Sequence, residues 1–503
     1  MERKDSKMKN KFTLYVIFIL SLILMNITYI HAADFQKENS HTLMTLENSD
    51  IVYIVISFNT GTVRDTEGKE GLNYVTASLI EDNIRKILNE KALTSGAEFY
   101  VQTDKEITTF RFKVHRDKFH NTYPLFISEI ISPDINKDSF ERAIEQAQNG
   151  RENLINDCED MSLEGLELFL YRNHPYGTPD FGTKASLKNI SIDDVKDFHS
   201  KFYRKENFKI AIGAKNCKEI LEKVEGDLSQ LPPGKPEDII IKKPEPFSTR
   251  VLIIKKDSGT TAMAMGFPVD FTRSNDDYYP LLVANSHFGF HRYMQGFLFI
   301  QLRSLRGFNY GDYSYIEKFV EASQDKMPET GIVRQSQYFY IWIRNLSDEN
   351  ASFATKFTMF SLEKMIKEGL DEKTFELNRD FIRNNSKLWA FDPFQKLGFS
   401  MDSDFYKTPY FIDYIEKKTE GMKNEDVTGA LQKNMDVNNM KFVFVTSDPE
   451  KMKKRLLGEI LSKPVYETTL SEEDKQIDEM VLKYDLKLKP EEIEIVEGEE
   501  FFK

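Results

Sequence analysis

At 503 residues, 40% hydrophobic and 30% charged, the chain is too long for one compact core and has the composition of a soluble globular protein, not of a disordered or multi-span one. A formal charge of −13 excludes a nucleic-acid binder, because neutralising phosphates needs a basic surface. The only cysteines, Cys158 and Cys217, are too few for a disulfide scaffold or a zinc cage of their own, and read as two separate thiols, with a pair in an oxidising compartment as the alternative.

Residues 1–33 read as an export signal. Arg3, Lys4, Lys7, Lys9 and Lys11 precede an apolar run over 12–30, and Ala32 and Ala33 offer a cleavage site. The segment holds five basic and two acidic residues, so its removal takes the charge from −13 to −16. Cleavage gives an exported protein, periplasmic or otherwise extracytoplasmic. Because the run is long for a signal, the alternative is an uncleaved membrane anchor.

Alternation predicts a strand over 51–58. A helix follows over 71–88, with Leu72, Val75, Leu79 and Ile80 as its apolar stripe. Alternation returns over 108–114, and helices are predicted over 138–154 and 192–202, the latter with Ser191 as N-cap and Asp194 closing a capping box. Prolines 232, 233, 236, 244 and 246 mark a linker over 227–247. Strands are predicted again over 251–254 and 338–343, and a helix over 354–367. The acidic stretch 466–503 reads as a helix-prone peripheral tail.

The two segments flanking the linker, 35–226 and 248–465, are copies. Phe58 precedes Arg64 and Leu72 as Phe267 precedes Arg273 and Leu281. Asp194, Val195, Lys201, Asn207 and Lys209 recur at identical spacing as Asp426, Val427, Lys433, Asn439 and Lys441. Strands grouped with helices predict an α+β fold of two homologous halves, each a mostly antiparallel sheet with helices on one face.

These features resemble the insulinase/pitrilysin family of M16 metallopeptidases (the insulinase/LuxS-metallohydrolase-like fold), in which two such halves close around a peptide. The resemblance implies an inverted zinc motif, H-x-x-E-H, just after a Gly-Leu. Here Gly71-Leu72 is followed by Tyr74, Ala77 and Ser78 at the three motif positions. None of these offers an imidazole or a carboxylate, so neither the metal nor the water-activating base has its residue. The third ligand would fall within 141–152, where a lone Glu cannot hold zinc. The resemblance thus implies no metal and no cofactor in this chain, and no catalytic residue. His287 and His291 have i, i+4 spacing, but Phe290 stands where a catalytic Glu would be needed, and the pair reads as buried or hydrogen-bonded. His174, in a segment like the family's approach to the last strand of the first half, reads as structural. No Gly-x-Ser-x-Gly elbow or cysteine nucleophile is present.

In the second half, Arg303 and Tyr310 match an Arg and a Tyr that family members carry seven residues apart, whereas Arg306 has the wrong spacing. The resemblance implies that this pair reaches the substrate backbone, where a guanidinium and a phenol donate to a carbonyl or developing oxyanion. The expected function is a non-catalytic subunit that binds peptide or unfolded protein and complements a zinc-bearing homologous subunit. The alternatives are a stand-alone peptide-binding or assembly protein and a peptidase with an unconventional site.

Overall fold

The computed structural model describes residues 35–321 and 327–502, and the expected signal over 1–33 lies outside them. In the first half the elements run β1 (Phe35–Glu38), β2 (His41–Thr45), β3 (Ile51–Phe58), α1 (Leu72–Ser95), β4 (Glu98–Thr103), β5 (Thr108–His115) and α2 (Arg116–Ile131). There follow α3 (Lys137–Asn156), α4 (Cys158–Leu170), α5 (Lys184–Asn189), α6 (Ile192–Phe202), β6 (Phe208–Ala214) and α7 (Cys217–Leu228). The second half begins with β7 (Val251–Lys255), β8 (Thr261–Val269), α8 (Tyr278–Gly289), β9 (Asp312–Tyr315), β10 (Gln337–Leu346) and α9 (Asp348–Glu368). It continues with α10 (Glu372–Trp389), α11 (Pro393–Tyr406), α12 (Phe411–Glu420), α13 (Asn424–Asn434), β11 (Lys441–Thr446) and α14 (Pro449–Leu456). The chain closes with α15 (Glu472–Leu482), β12 (Ile493–Glu497) and α16 (Gly498–Phe501).

From β2 to α7 and from β7 to α14 the element order is the same, and so is the sheet order. One sheet runs β1-β2-β6-β3-β5-β4 and the other β12-β7-β11-β8-β10-β9. Only β2–β6 in the first sheet, and β7–β11 and β12–β7 in the second, pair in parallel. The outermost strand breaks the repeat. In the first half it is β1, antiparallel to β2; in the second it is β12, brought back from the acidic tail to lie parallel to β7. The tail is therefore not peripheral. Ile493 and Ile495 pack on the second core, and the pairing gives β7 a neighbour where it would otherwise be an open edge.

Each half packs its helices on one face of its own sheet, around Ile54, Ile56, Leu79 and Phe112 in the first and Met263, Phe267, Leu281 and Phe444 in the second. The other face receives one helix from the opposite half. α4 lies on β8 and β11, and α11 lies on β2, β3 and β6. Small residues permit the crossing: a Cβ on Gly165 of α4 would meet Ile254 Cδ1 at 3.0 Å, and one on Gly213 of β6 would meet Leu397 Cδ1 of α11 at 3.3 Å. Each apolar side chain buried in this exchange, such as Leu166, Phe169 or Leu397, contributes about 1.5–3 kcal/mol.

Charge locks the seam as well. Arg334 donates to Asp104 at 2.6 and 2.8 Å and to Glu167 at 2.9 Å, all three buried. Lys318 and the Tyr338 hydroxyl also donate to Glu167, at 2.7 and 3.0 Å. The halves are thus bonded to each other through their centre. Cys158 and Cys217 are separate thiols, the latter buried against the Met44 and Ala214 carbonyls. Among the described residues no helix is long and apolar enough to cross a membrane.

Candidate functional site

The helix that would carry the zinc motif is fixed at its N-terminus. Asp65 accepts from the Gly71 and Asn73 amides at 2.8 and 2.7 Å, satisfying two of the donors a helix start leaves free. Burial pushes this carboxyl up to about 8, despite those two bonds. The Asn73 side chain donates to Thr103 and accepts from Thr60 and Thr108, tying α1 to the β4–β5 edge. Gly71, at φ +93°, lets the backbone pass Gly182, whose Cα would lie 2.9 Å from any Cβ added at 71.

On the face so positioned, Tyr74 sits edge-on to Phe181 with ring centroids 4.8 Å apart. Phe181 in turn lies where a side chain on Gly150 of α3 would stand, 2.8 Å from that Cβ position. The space between α1 and α3 is therefore filled by two aromatic rings. Ala77 and Ser78 are buried beside them. Across on α3, Ala143, Ala147 and Gly150 face inward, while Glu141, Glu145 and Glu152 are exposed. Burial raises the Tyr74 phenol above its ordinary range, partly offset by a hydrogen bond with Ser78. These residues do not fit a zinc ion: the donors are absent and rings occupy the volume. Among the described residues no three His, Cys, Asp or Glu side chains converge.

In the second half α8 stands in the place of α1. His287 lies against Phe297 and is held below its ordinary pKa by burial. His291 lies beyond the helix end, its Nδ1 2.6 Å from the Tyr315 hydroxyl. Gly289 ends the helix against Ser314, where an added Cβ would meet backbone at 2.7 Å, so the two imidazoles share no face. His174 Nε2 lies 2.6 Å from the Lys242 carbonyl, a structural contact.

Arg303 sits in a π-helical turn, Phe299–Ser304, a distortion frequent at functional sites. Its guanidinium lies over Phe299 at 4.7 Å and over Tyr310 at 5.8 Å, so the structure brings Arg303 and Tyr310 together. Tyr310 is 77% exposed. Arg306 is its opposite: fully buried, bound to Asp478 at 2.5 and 3.1 Å and to the Gln301 carbonyl. Behind the pair lies Asp312, which sequence reasoning missed. It is fully buried, accepts from Asn309 at 2.8 Å, has one oxygen without a partner, and is pushed up to about 8 by burial. An Asp at the start of a strand carries no signal of burial in sequence.

Two halves of one element order, the first with its metal positions filled by Tyr74, Ala77 and Ser78, define an M16-peptidase-like protein without a zinc motif. Comparison with known proteins agrees: the family model described as the Peptidase M16 inactive domain matches residues 189–380. The structure is similar to that of a peptidase M16 inactive domain from Pseudomonas fluorescens, with TM-score 0.71 and 19% identity, covering 83% of this chain and 98% of that one. It is also similar to a putative M16-like peptidase from Alicyclobacillus acidocaldarius, with TM-score 0.66 and 14% identity, covering 82% and 99%. In sequence it is 23% identical over 246 residues to the zinc protease PqqE of Helicobacter pylori. That match spans 46% of this chain and 54% of the relative, so the chain matches about half the relative's length.

Proposed function

We propose that this chain is an exported, non-catalytic subunit that pairs with a zinc-bearing homologous subunit and presents Arg303 and Tyr310 to an extended peptide or unfolded protein. The observation that carries this reading is an asymmetry. The metal positions are packed shut with Tyr74 and Phe181, whereas Arg303, half-buried, and Tyr310, exposed, lie together and neither side chain forms a hydrogen bond or ion pair among the described residues. A guanidinium and a phenol held this way suit a peptide carbonyl or the oxyanion that forms from it. Export rests on the basic and apolar segment over 1–33.

The test is reconstitution. Purified chain alone should hold no stoichiometric zinc and cleave nothing. Mixed with a zinc-bearing M16 homologue, it should give chelator-sensitive peptide cleavage that falls by at least about a hundredfold in Arg303→Ala and Tyr310→Phe. Cleavage unchanged by both substitutions sinks the reading. A second reading, a peptide-holding or assembly protein with no proteolysis, draws on the bonded seam between the halves. Peptide binding by the chain alone, with no gain on adding any zinc-bearing homologue, would favour it.

A further inference from the structure

α11 does not cover its face of the first sheet completely. Between them, walled by the linker and by residues of the 330–335 segment, lies a cavity of about 490 Å³, within the range of small-ligand sites. Val55 and Ile107 from the first half, Met401 and Phe405 from α11, and Ile239 from the linker give it an apolar body.

Its charges are unevenly matched. Each lining carboxylate already has partners. Asp404 takes Lys37 at 2.5 Å, Asp238 takes Lys235 at 2.6 Å, and Asp402 takes Arg273 at 3.4 Å and the Gly331 amide at 3.0 Å. Glu106 accepts from the backbone and side-chain amides of Gln335 at 2.6 and 2.8 Å. Arg64, Lys209 and Lys407 line the same cavity and form no ion pair among the described residues. Arg64 is half-buried and donates to the Glu237 carbonyl at 2.8 Å, while Lys209 reaches only the Ser40 carbonyl at 3.4 Å. Arg111, 7% exposed and also lining the cavity, has an Nε without a partner.

The duplication shows what this arginine takes when it is satisfied. Arg273, the repeat counterpart of Arg64, is 5% exposed and bound to Glu317 at 3.0 Å and to Asp402. Glu317 stands two residues past β9; two residues past β4 the first half has Lys105. The carboxylate that completes the second-half arginine is thus replaced by a cation in the first half, and Asp238 and Glu106, the acidic groups that act on Arg64, make no ion pair with it among the described residues.

We propose that this cavity binds a small carboxylate on an apolar body, either the free C-terminus of a short apolar peptide or a fatty acid, with the carboxylate on Arg64. This site shares no lining residue with the Arg303–Tyr310 pair and does not rest on the subunit reading. Titration calorimetry of the full chain tests it with N-acetyl-Val-Leu-Phe and decanoate, each against its neutral partner, the peptide amide and decanol. At least one acid should bind about tenfold or more tighter than its neutral partner. Arg64→Met should remove that preference, and Met401→Trp, which fills the chamber, should remove binding, both with unchanged far-ultraviolet circular dichroism and a cooperative thermal transition. Binding of the peptide acid alone assigns a peptide terminus, binding of decanoate alone a fatty acid, and both support the class. No binding by either acid, equal binding of acid and neutral partner, or a folded Arg64→Met that keeps the preference overturns the proposal.

Discussion

The two halves share one element order, yet the stretches that define the family's chemistry have opposite characters. In the first half the motif helix is capped by Asp65, pinned by Asn73 and backed by an aromatic pair, so every motif position is spent on packing. In the second half the turn bearing Arg303 leaves regular α-helix, and Tyr310 projects into solvent. The first set is buried and matched; Arg303 and Tyr310 are more accessible and form no ion pair among the described residues. The difference is sharpest over three residues, between Arg303 and Arg306.

Arg306 gives the largest expected effect. Arg306→Ala leaves the buried Asp478 carboxylate without its cation, and should cost about 3–5 kcal/mol in urea unfolding. A loss below about 1 kcal/mol would mean that the Tyr466 hydroxyl, which already donates to Asp478 at 2.6 Å, is enough for this carboxylate, and would blur the contrast between the two arginines.

The first half can be challenged by restoring its motif with Tyr74→His, Ala77→Glu and Ser78→His together. Glu at the buried position 77 should cost about 2–4 kcal/mol. Phe181 still occupies the gap and the α3 glutamates still point outward, so the variant should take up no stoichiometric zinc by metal analysis. One zinc per chain would show that the first half has kept its metal geometry and lost only its ligands.

Much of this was legible in the sequence because it is periodic. The strand over 51–58, the helix over 192–202 with its Ser191–Asp194 box, and the duplication itself follow from side chains that alternate or recur. The degenerate motif was legible because it is local. The exchange of α4 and α11 was not, since an amphipathic helix shows that it is buried but not against which sheet. β12 was misread because acidic residues dominate 491–500, whereas a parallel edge strand needs only its alternate apolar positions, Ile493 and Ile495. Phe181 and Asp312 escaped notice because their roles depend on neighbours far away in the chain.

Asp312 allows a test by pH. Burial holds its carboxyl near 8 in the folded chain, above the ordinary 3.8. Between those values the folded chain keeps a proton that the unfolded chain has released. Its contribution is therefore complete below about pH 4 and lost as pH rises toward 8, with a slope of at most about 1.4 kcal/mol per pH unit. Asp312→Asn should flatten the fall in unfolding free energy between pH 5 and 8 relative to the parent chain. Asp65, also raised to about 8, acts in the same direction in both proteins and cancels in the difference. Parallel profiles for parent and variant would mean that Asp312 is ionised in the folded state, paired with Arg303, and would make that arginine part of the packing.

The smallest effect carries the comparison furthest. Arg303 forms no ion pair among the described residues, and its ring contacts are worth about 0.5–1 kcal/mol each at an accessible site. Tyr310 exposes 77% of its surface, so truncation forfeits little burial. Tyr310→Ala should change stability by no more than about 0.5 kcal/mol, and Arg303→Ala by about 1 kcal/mol at most. Set beside several kcal/mol for Arg306→Ala, this would show that two arginines three positions apart serve different ends. If the Arg303 loss equals the Arg306 loss, the turn is held together by both, and the case for a surface kept free for a ligand fails.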